Sequence, residues 1–418
     1  MKNLKNVLPI LLLTSISFTT LAQQPTVLAS ATEKETEKEK KKKASEKTEA
    51  IVEEPAAKKE DEEPAFTFSG SIDTYLHSSF KTQNAFYGGA YAPSTSFADL
   101  KGFSLGMVNL IASYAGEKAG FVGDIVLGPR GQAAVFGTAS GQAIINQAYA
   151  YYKFSDKLTL NLGQFNTFLG YEVISPTVNF HYSTSYLFSW GPFNHTGARL
   201  DYAGENGFVA KLAVMNPTDI VEFNPVNTYT LGAQLGKTSE KGGIWLNFLY
   251  GDQDGTLDEI PQDGESAGNL FQADITLGYN LTDKFYLGFN ASTQSTALGE
   301  ELDNNGDIVK ATGKSSSFTG FAIYPKLTVS ESFAIGLRAE YFSVKNSHLE
   351  IFGLDANGDG SVTAFTLSGN YKVGGLTFIP EFRVDMTSED SFSTLSDSGV
   401  AEFKKLLPTV NLAAVYKF

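Results

Sequence analysis

The sequence predicts an all-β protein: a transmembrane antiparallel up-and-down β-barrel of about 16 strands, behind a signal peptide and a charged disordered or helical linker. Three observations carry this expectation. Apolar and polar residues alternate with a period of two in segment after segment from Phe66 to Phe418, as in strands with one apolar face. The links between those segments alternate strictly between short and long. Finally, no apolar run after residue 22 reaches the ~20 residues that a membrane helix needs. A chain of this kind that lives in a membrane must cross it as a closed barrel.

The N-terminal residues bear on compartment. "MKNLKN" is basic, "VLPILLLTSISFTTLA" is apolar, and Thr20-Leu21-Ala22 ends on small residues suited to cleavage. Residues 1–22 therefore read as a secretory signal peptide, too short in its apolar part to be a membrane anchor. Residues 23–64 are a linker dominated by Glu and Lys over 31–63. With no apolar face it cannot build a core, although Glu–Lys pairs four apart favour a fraying helix. A solvated periplasmic tether and a segment contacting cell wall or a partner are both open readings. The barrel then occupies residues 65–418. The absence of cysteine removes disulfides, thiolate zinc sites, thiol catalysis and a lipoprotein anchor together. A net charge of −14 argues against a nucleic-acid partner.

In the first strand, "AFTFSGSIDTYLHSSF", Phe66, Phe68, Ile72, Leu76 and Phe80 share one face. Thr67, Ser69, Ser71, Asp73, Tyr75 and His77 share the other. The same alternation predicts strands near 103–114, 119–128, 144–154, 157–165, 194–202, 207–216, 227–237 and 241–251. Further strands follow near 269–281, 284–295, 316–329, 332–346, 361–372, 375–387 and 408–418. Representative stripes are Leu158, Leu160 and Leu162, then Phe271, Ile275 and Leu277, then Phe378, Phe382 and Val384. Pro325 and Pro380 fall inside two of these strands, where proline removes a ladder donor. The last strand runs to the end of the sequence, with Val410, Leu412, Ala414, Tyr416 and Phe418 on its apolar face. Short links such as "AGEK", "SD", "AGEN", "TD" and "VG" mark one rim, and the long polar loops mark the other. That asymmetry is expected of tight periplasmic turns and longer outer loops, with both termini on the short-turn side. A β-sandwich would bury the same stripes but gives no reason for alternating link lengths.

A barrel of this size is too wide for side chains to fill, so a water-filled lumen is expected. The inward phase carries Asp73, Asp124, Lys153, Arg199, Asp201, Lys211, Asp274, Lys326, Arg338, Glu340, Arg383 and Asp385. Burying each of these dry and unpaired would cost on the order of several kcal/mol. A lumen plugged by loops and salt bridges is the alternative. The long segment 166–193 is rich in aromatics (Phe168, Tyr171, Phe180, Tyr182, Tyr186, Phe188, Trp190, Phe193), which suits a loop packed inside the lumen as a constriction. A subunit contact or an outer cap would also use them. Candidate constriction and lining residues are therefore Tyr171, Glu172, His181 and Thr184 on the loop, with Lys153, Arg199, Lys211, Lys326, Arg338, Glu340, Arg383 and Asp385 on the wall. The long loops carry Asp252, Asp254, Asp258, Glu259, Asp263, Glu265, Glu300, Glu301, Asp303, Asp307, Asp355 and Asp359. With Glu172 they predict a weak cation preference in dilute salt.

Other chemistry finds little support. The histidines (His77, His181, His195, His348) show no metal spacing. His77 and Ser78 are adjacent on a strand and point to opposite faces, so they do not form a hydrolase pair, and no enzyme is expected. In "DANGDGS", Asp355, Asn357, Asp359 and Ser361 occupy calcium-loop positions, with Gly360 at the turn. Thr366 stands where a bidentate Glu would, and Asn, Asp and Gly are also ordinary loop residues. Calcium at 355–361 stays open, and no other cofactor is expected.

The densest pattern lies in "QAYAYYKFSDKLTLNLGQFNTFLGYEVISPTVNFHYSTSYLFSWGPFNHTGARLDY". Its Gly163-Gln164-Phe165, Gly170-Tyr171-Glu172, Tyr182-Ser183, Ser185-Tyr186, Pro192-Phe193 and His195-Thr196-Gly197 resemble the central pattern of the OmpL-like β-barrel porins, frequent in Bacteroidota. The resemblance spans roughly residues 66–418. It implies a Gram-negative outer-membrane porin that passes small hydrophilic solutes or ions by passive diffusion. Many members place an arginine between the two serines, where this chain has Thr184, so no anion selectivity is carried over. The terminal Phe418, with Tyr416, resembles the sorting signal read by the outer-membrane assembly machinery, a partner beside the outer-membrane lipid. Loop 166–193 resembles the constriction loop of trimeric porins and leaves a homotrimer open. The competing function is a closed barrel acting as a surface interaction or structural protein through its acidic loops.

Overall fold

Period-two patterning can satisfy a membrane-embedded backbone only if every strand finds two neighbours. The chain meets that condition. A computed structural model describes residues 65–80, 93–135, 144–225, 227–253, 268–297, 300–302, 308–311, 315–347, 353–395 and 398–418. The proposed signal peptide and linker, His348 and the acidic loop residues Asp254, Asp258, Glu259, Asp263, Glu265, Asp303 and Asp307 lie outside the described residues.

The first strands are β1 (Ala65–Ser78), β2 (Gly102–Ala115), β3 (Ala119–Leu127), β4 (Ile145–Ser155) and β5 (Leu158–Asn166). There follow β6 (Asn194–Ala203), β7 (Phe208–Met215), β8 (Thr230–Ser239), β9 (Gly242–Asp252), β10 (Asn269–Asn280) and β11 (Phe285–Ala297). After a two-stranded hairpin of β12 (Glu300–Leu302) and β13 (Ile308–Ala311) come β14 (Ser315–Thr328), β15 (Phe333–Lys345), β16 (Gly360–Val373) and β17 (Leu376–Thr387). A second hairpin of β18 (Phe392–Leu395) and β19 (Ala401–Lys404) precedes β20 (Leu406–Lys417). Two short helices, α1 (Pro129–Ala134) and α2 (Tyr186–Ser189), sit in long loops.

All strands except those in the two small hairpins form one closed barrel in chain order. The 16 barrel strands agree with the 16 segments expected from the sequence. The two hairpins lie inside segments whose sequence predicts loop. β20 closes on β1 in antiparallel register from Ser71↔Lys417 to Ser78↔Val410. Beyond that register, Gly70 and Phe418 exchange both backbone hydrogen bonds, at 3.1 and 3.0 Å.

Apolar residues point out, where hydrocarbon covers them: Phe66, Phe68, Ile72, Leu162, Phe271, Phe378, Leu412 and Tyr416 are exposed on the barrel's outer face. The opposite phase is polar and buried, including Ser71, Asp73, His77, Asn161, Gln272, Asn411 and Glu381. Both interior prolines are accommodated at missing rungs. β14 and β15 pair at Ile323↔Ala339 and again at Lys326↔Gly336, skipping Pro325. β16 and β17 pair at Ser368↔Glu381 and Tyr371↔Phe378, skipping Pro380. Each proline removes a donor on one side only, and the register continues unchanged.

The 355–361 segment is an Asx turn: Asp355 Oδ1 accepts the Asn357 and Asp359 amides, both near 2.9 Å, and Asp359 Oδ1 accepts the Asn346 amide. Those bonds pull the Asp355 carboxyl below its ordinary range. Among the described residues no cluster of three or more acidic or histidine side chains gathers as a metal site.

Candidate pore constriction

The segment between β5 and β6 turns into the barrel. The two strands pair up to Asn166↔Asn194, and Thr167 N–H then donates to Phe193 O at 2.9 Å, closing a neck at the loop's base. Asp219, in the loop between β7 and β8, accepts the Phe193 and Asn194 amides at 2.7 Å each. Burial pushes its carboxyl up to about 7 against those bonds.

From the neck, Phe168 and Leu169 pack on Tyr149, Ala213, Met215, Leu249 and Leu270 of the wall. Gly170, at φ +84°, makes a bend that other residues avoid, and its amide donates to Asp274. The chain then crosses toward β14 and β15. Tyr171 stacks on Tyr324 with centroids 4.1 Å apart, and its hydroxyl donates to that of Tyr286 at 3.0 Å. Glu172 meets Arg338 of β15 at 2.6 Å, and its second oxygen accepts the Ser185 amide.

The returning leg is held by carboxylates and guanidinium groups of the wall. Glu381 accepts the Tyr182 and Ser183 amides, and Asp73 accepts the Tyr182 hydroxyl at 2.5 Å. Asp73 fits because β2 bulges opposite it and Gly106 has no Cβ: one would fall 1.6 Å from its carboxylate oxygen. Arg338 donates to Ser183 O, Thr184 O and Thr366 Oγ1 besides Glu172. Arg383 grips Asp385 and donates to Thr184 O at 2.7 Å. Glu340 accepts the Leu187 amide at the start of α2, whose cap is Ser185. His181 lies against Ser368, and burial followed by the Arg338 charge lowers its imidazole to about 3, leaving it neutral. Phe188 and Phe193 complete a cluster with Phe97, Met107, Val126 and Ile174. Arg130 of α1 reaches in to Ile174 O and Tyr182 O.

Chains with this architecture are known. The family profile described as "Putative beta-barrel porin-2, OmpL-like" matches residues 65–418. The chain belongs to this porin family. Similar solved structures include the outer-membrane channel DcaP of Acinetobacter baumannii, 12% identical with a TM-score of 0.54 over 88% of this chain and 100% of that one. OmpT of Vibrio cholerae is 11% identical, with a TM-score of 0.51 over 86% and 99%. The anion-selective porin from Comamonas acidovorans is 11% identical, with a TM-score of 0.51 over 85% and 100%. At such identities these likenesses concern the fold. No curated protein sequence matches the chain. The protein is a multi-pass outer-membrane porin with a loop folded into its lumen.

The porin's candidate residues separate into two groups. Glu172, Tyr171, His181, Thr184, Arg338, Glu340, Arg383 and Asp385 meet at the seam between loop and wall. The seam charges are buried and held by ion pairs and backbone amides, rather than by the lumen water that the sequence reading expected. Thr184 is fully buried, with its carbonyl between two arginines. Lys153, Arg199 and Lys211 stand on β4, β6 and β7, five to eight strands around the barrel from β15 and β17. There Arg199 binds Asp201 through two bonds of 2.8 Å, and Lys211 lies 3.8 Å from the same carboxylate. Lys326 stands apart from both groups, over aromatic rings. Glu381, Asp73, Arg130 and Asp219 escaped the sequence reading as loop anchors. Glu381 and Asp73 had the inward phase, but nothing local says which loop they meet.

Proposed function

We propose that solutes pass between the inward loop, residues 167–193, and the facing wall that carries Lys153, Arg199, Asp201 and Lys211. The observation behind this reading is that Arg338, Glu381 and Arg383 tie the loop to β15–β17, so it narrows the lumen mainly from that side, while its first residues Phe168 and Leu169 pack on β4 and β7. Glu172 then contributes no free charge to the path, because Arg338 neutralises it. The wall group holds three cations and one carboxylate. Weak anion preference is therefore expected, in place of the cation preference that the outer acidic residues suggest. Charge at the narrowest section acts at short range, whereas mouth charge is screened beyond ~10 Å at 0.1 M salt. Planar-bilayer recording tests both halves of the proposal. Discrete conductance steps are expected, with a reversal potential in a KCl gradient on the anion side that falls in Arg199→Gln. A non-conducting protein would favour the closed interaction barrel, and cation preference would return selectivity to the mouth.

Residues 1–22 and 23–64 belong in this proposal as export signal and periplasmic tether, and Phe418 as the assembly signal. A homotrimer is part of the same reading, and its check is the mass of the detergent-solubilised protein.

A further inference from the structure

Among the described residues Lys326 is a lumen cation that shows no carboxylate partner and no bond to the loop backbone. Its ring neighbours among the described residues are Tyr286, with a centroid 4.7 Å from its ammonium, and Phe180, at 5.8 Å, and the charge of Lys372 also acts on it. The site is built from both loop and wall. Tyr286 lies directly across from Lys326 on β11, and Gly336 lies across from it on β15. A Cβ at Gly336 would fall 2.5 Å from the Phe180 ring, and one at Gly288 would fall 2.5 Å from the Tyr171 ring. The wall is thus bare at both of these positions, where the rings of Phe180 and Tyr171 lie on it. Tyr171 is fixed in turn by Tyr324 and by the Tyr286 hydroxyl. Lys326 and Phe180 stay half-buried, open toward the lumen on the short-turn side of the loop.

We propose that this cluster binds an organic anion: a carboxylate carried on a planar or apolar body. An ammonium drawn partly out of water over aromatic faces lacks a counter-charge, which an entering carboxylate supplies. The ring faces carry negative quadrupole potential, so they do not attract the anionic head. They offer flat apolar area to the body behind it. A bare inorganic anion would meet the positive charge without using the rings and bind more weakly. The proposal rests on the porin reading, because the site faces solutes that have passed the constriction.

The test uses the full-length porin in detergent, with binding followed by calorimetry. Benzoate is the probe, acetate presents the charge alone, and benzyl alcohol the ring alone. Benzoate should bind more tightly than either, and Lys326→Gln should weaken it by about tenfold or more, a loss of about 1.4 kcal/mol. Lys326→Arg should keep most of the affinity, and Phe180→Leu should weaken benzoate without changing acetate. Heat-modifiable migration of each variant confirms a folded barrel. Equal benzoate affinity in wild type and folded Lys326→Gln overturns the proposal, as does acetate binding as tightly as benzoate. Conductance of the same preparation keeps the two readings apart. Conduction without benzoate binding removes only this site, and benzoate binding without conduction removes the pore.

Discussion

Both oxygens of Glu172 are engaged, one by Arg338 at 2.6 Å and the other by the Ser185 amide at 2.7 Å. Glu172→Gln keeps an acceptor for Ser185 but leaves the Arg338 guanidinium buried without its counter-ion. Losing one partner of a buried pair costs about 3–5 kcal/mol. The Ser183 and Thr184 carbonyls still receive Arg338, so the lower end applies. The folded form should lose heat resistance on gels, and channel recordings should become noisier as the loop loosens. The double variant Glu172→Leu with Arg338→Met removes both charges and should lie nearer wild type than either single change. A Glu172→Gln barrel with unchanged heat resistance would show that the pair does not hold the loop. His181 gives a pH dependence at the same seam. Its folded value is lowered to about 3 from 6.5, chiefly by burial and then by Arg338. The unfolded chain therefore takes up a proton that the folded chain refuses, and stability falls as pH drops from about 6.5 toward 3. Above pH 6.5 His181 contributes no slope. Comparing denaturation midpoints of wild type and His181→Gln across that range isolates the effect, and identical slopes would contradict it.

Strands explain what the sequence could and could not tell. Alternation alone placed all barrel strands, because lipid outside and polar groups inside force period two on every one of them. Even Pro325 and Pro380 did not break the pattern, since each removes a rung on one side only. The β18–β19 hairpin was missed: four-residue strands such as Phe392–Leu395 are too short to show a period. The inward course of the loop was legible from its aromatic density, but its attachments were not. Tyr182 and Asp73 stand 109 residues apart, and only the folded loop selects that aspartate from the other inward carboxylates. The terminal strand carries its own prediction. Phe418 adds two backbone bonds to Gly70 and a ring contact with Phe68 at 6.2 Å, at the seam where β20 meets β1. Deleting it should lower the amount of heat-modifiable barrel recovered from outer membranes. Unchanged recovery would remove Phe418 from assembly.

At the scale of the molecule, closure decides what the N-terminal segment can do. β1 starts at Ala65; β2 pairs with it from Ala65 to His77, and β20 pairs with it from Ser71 to Ser78. Along the stretch shared with both neighbours each edge is taken, so a further strand cannot be added there. Ala65 pairs with Ala115 beside a short link, which places the entry of the chain on the same rim as Phe418. Residues 31–63 are mostly Glu, Lys and Ala, with no apolar stripe to pack against the lipid face. Any effect they had on the pore would have to come from entering the lumen through the short-turn rim. There the inward cations Lys153 and Lys326 would meet their glutamates. The segment's own lysines counter that attraction, and ordering a free chain costs about 1–2 kcal/mol per residue. Deleting 31–63 should therefore leave heat resistance and single-channel conductance close to wild type. A larger conductance in the deletion would show the segment lying in the pore, and a lower barrel yield would show it taking part in assembly.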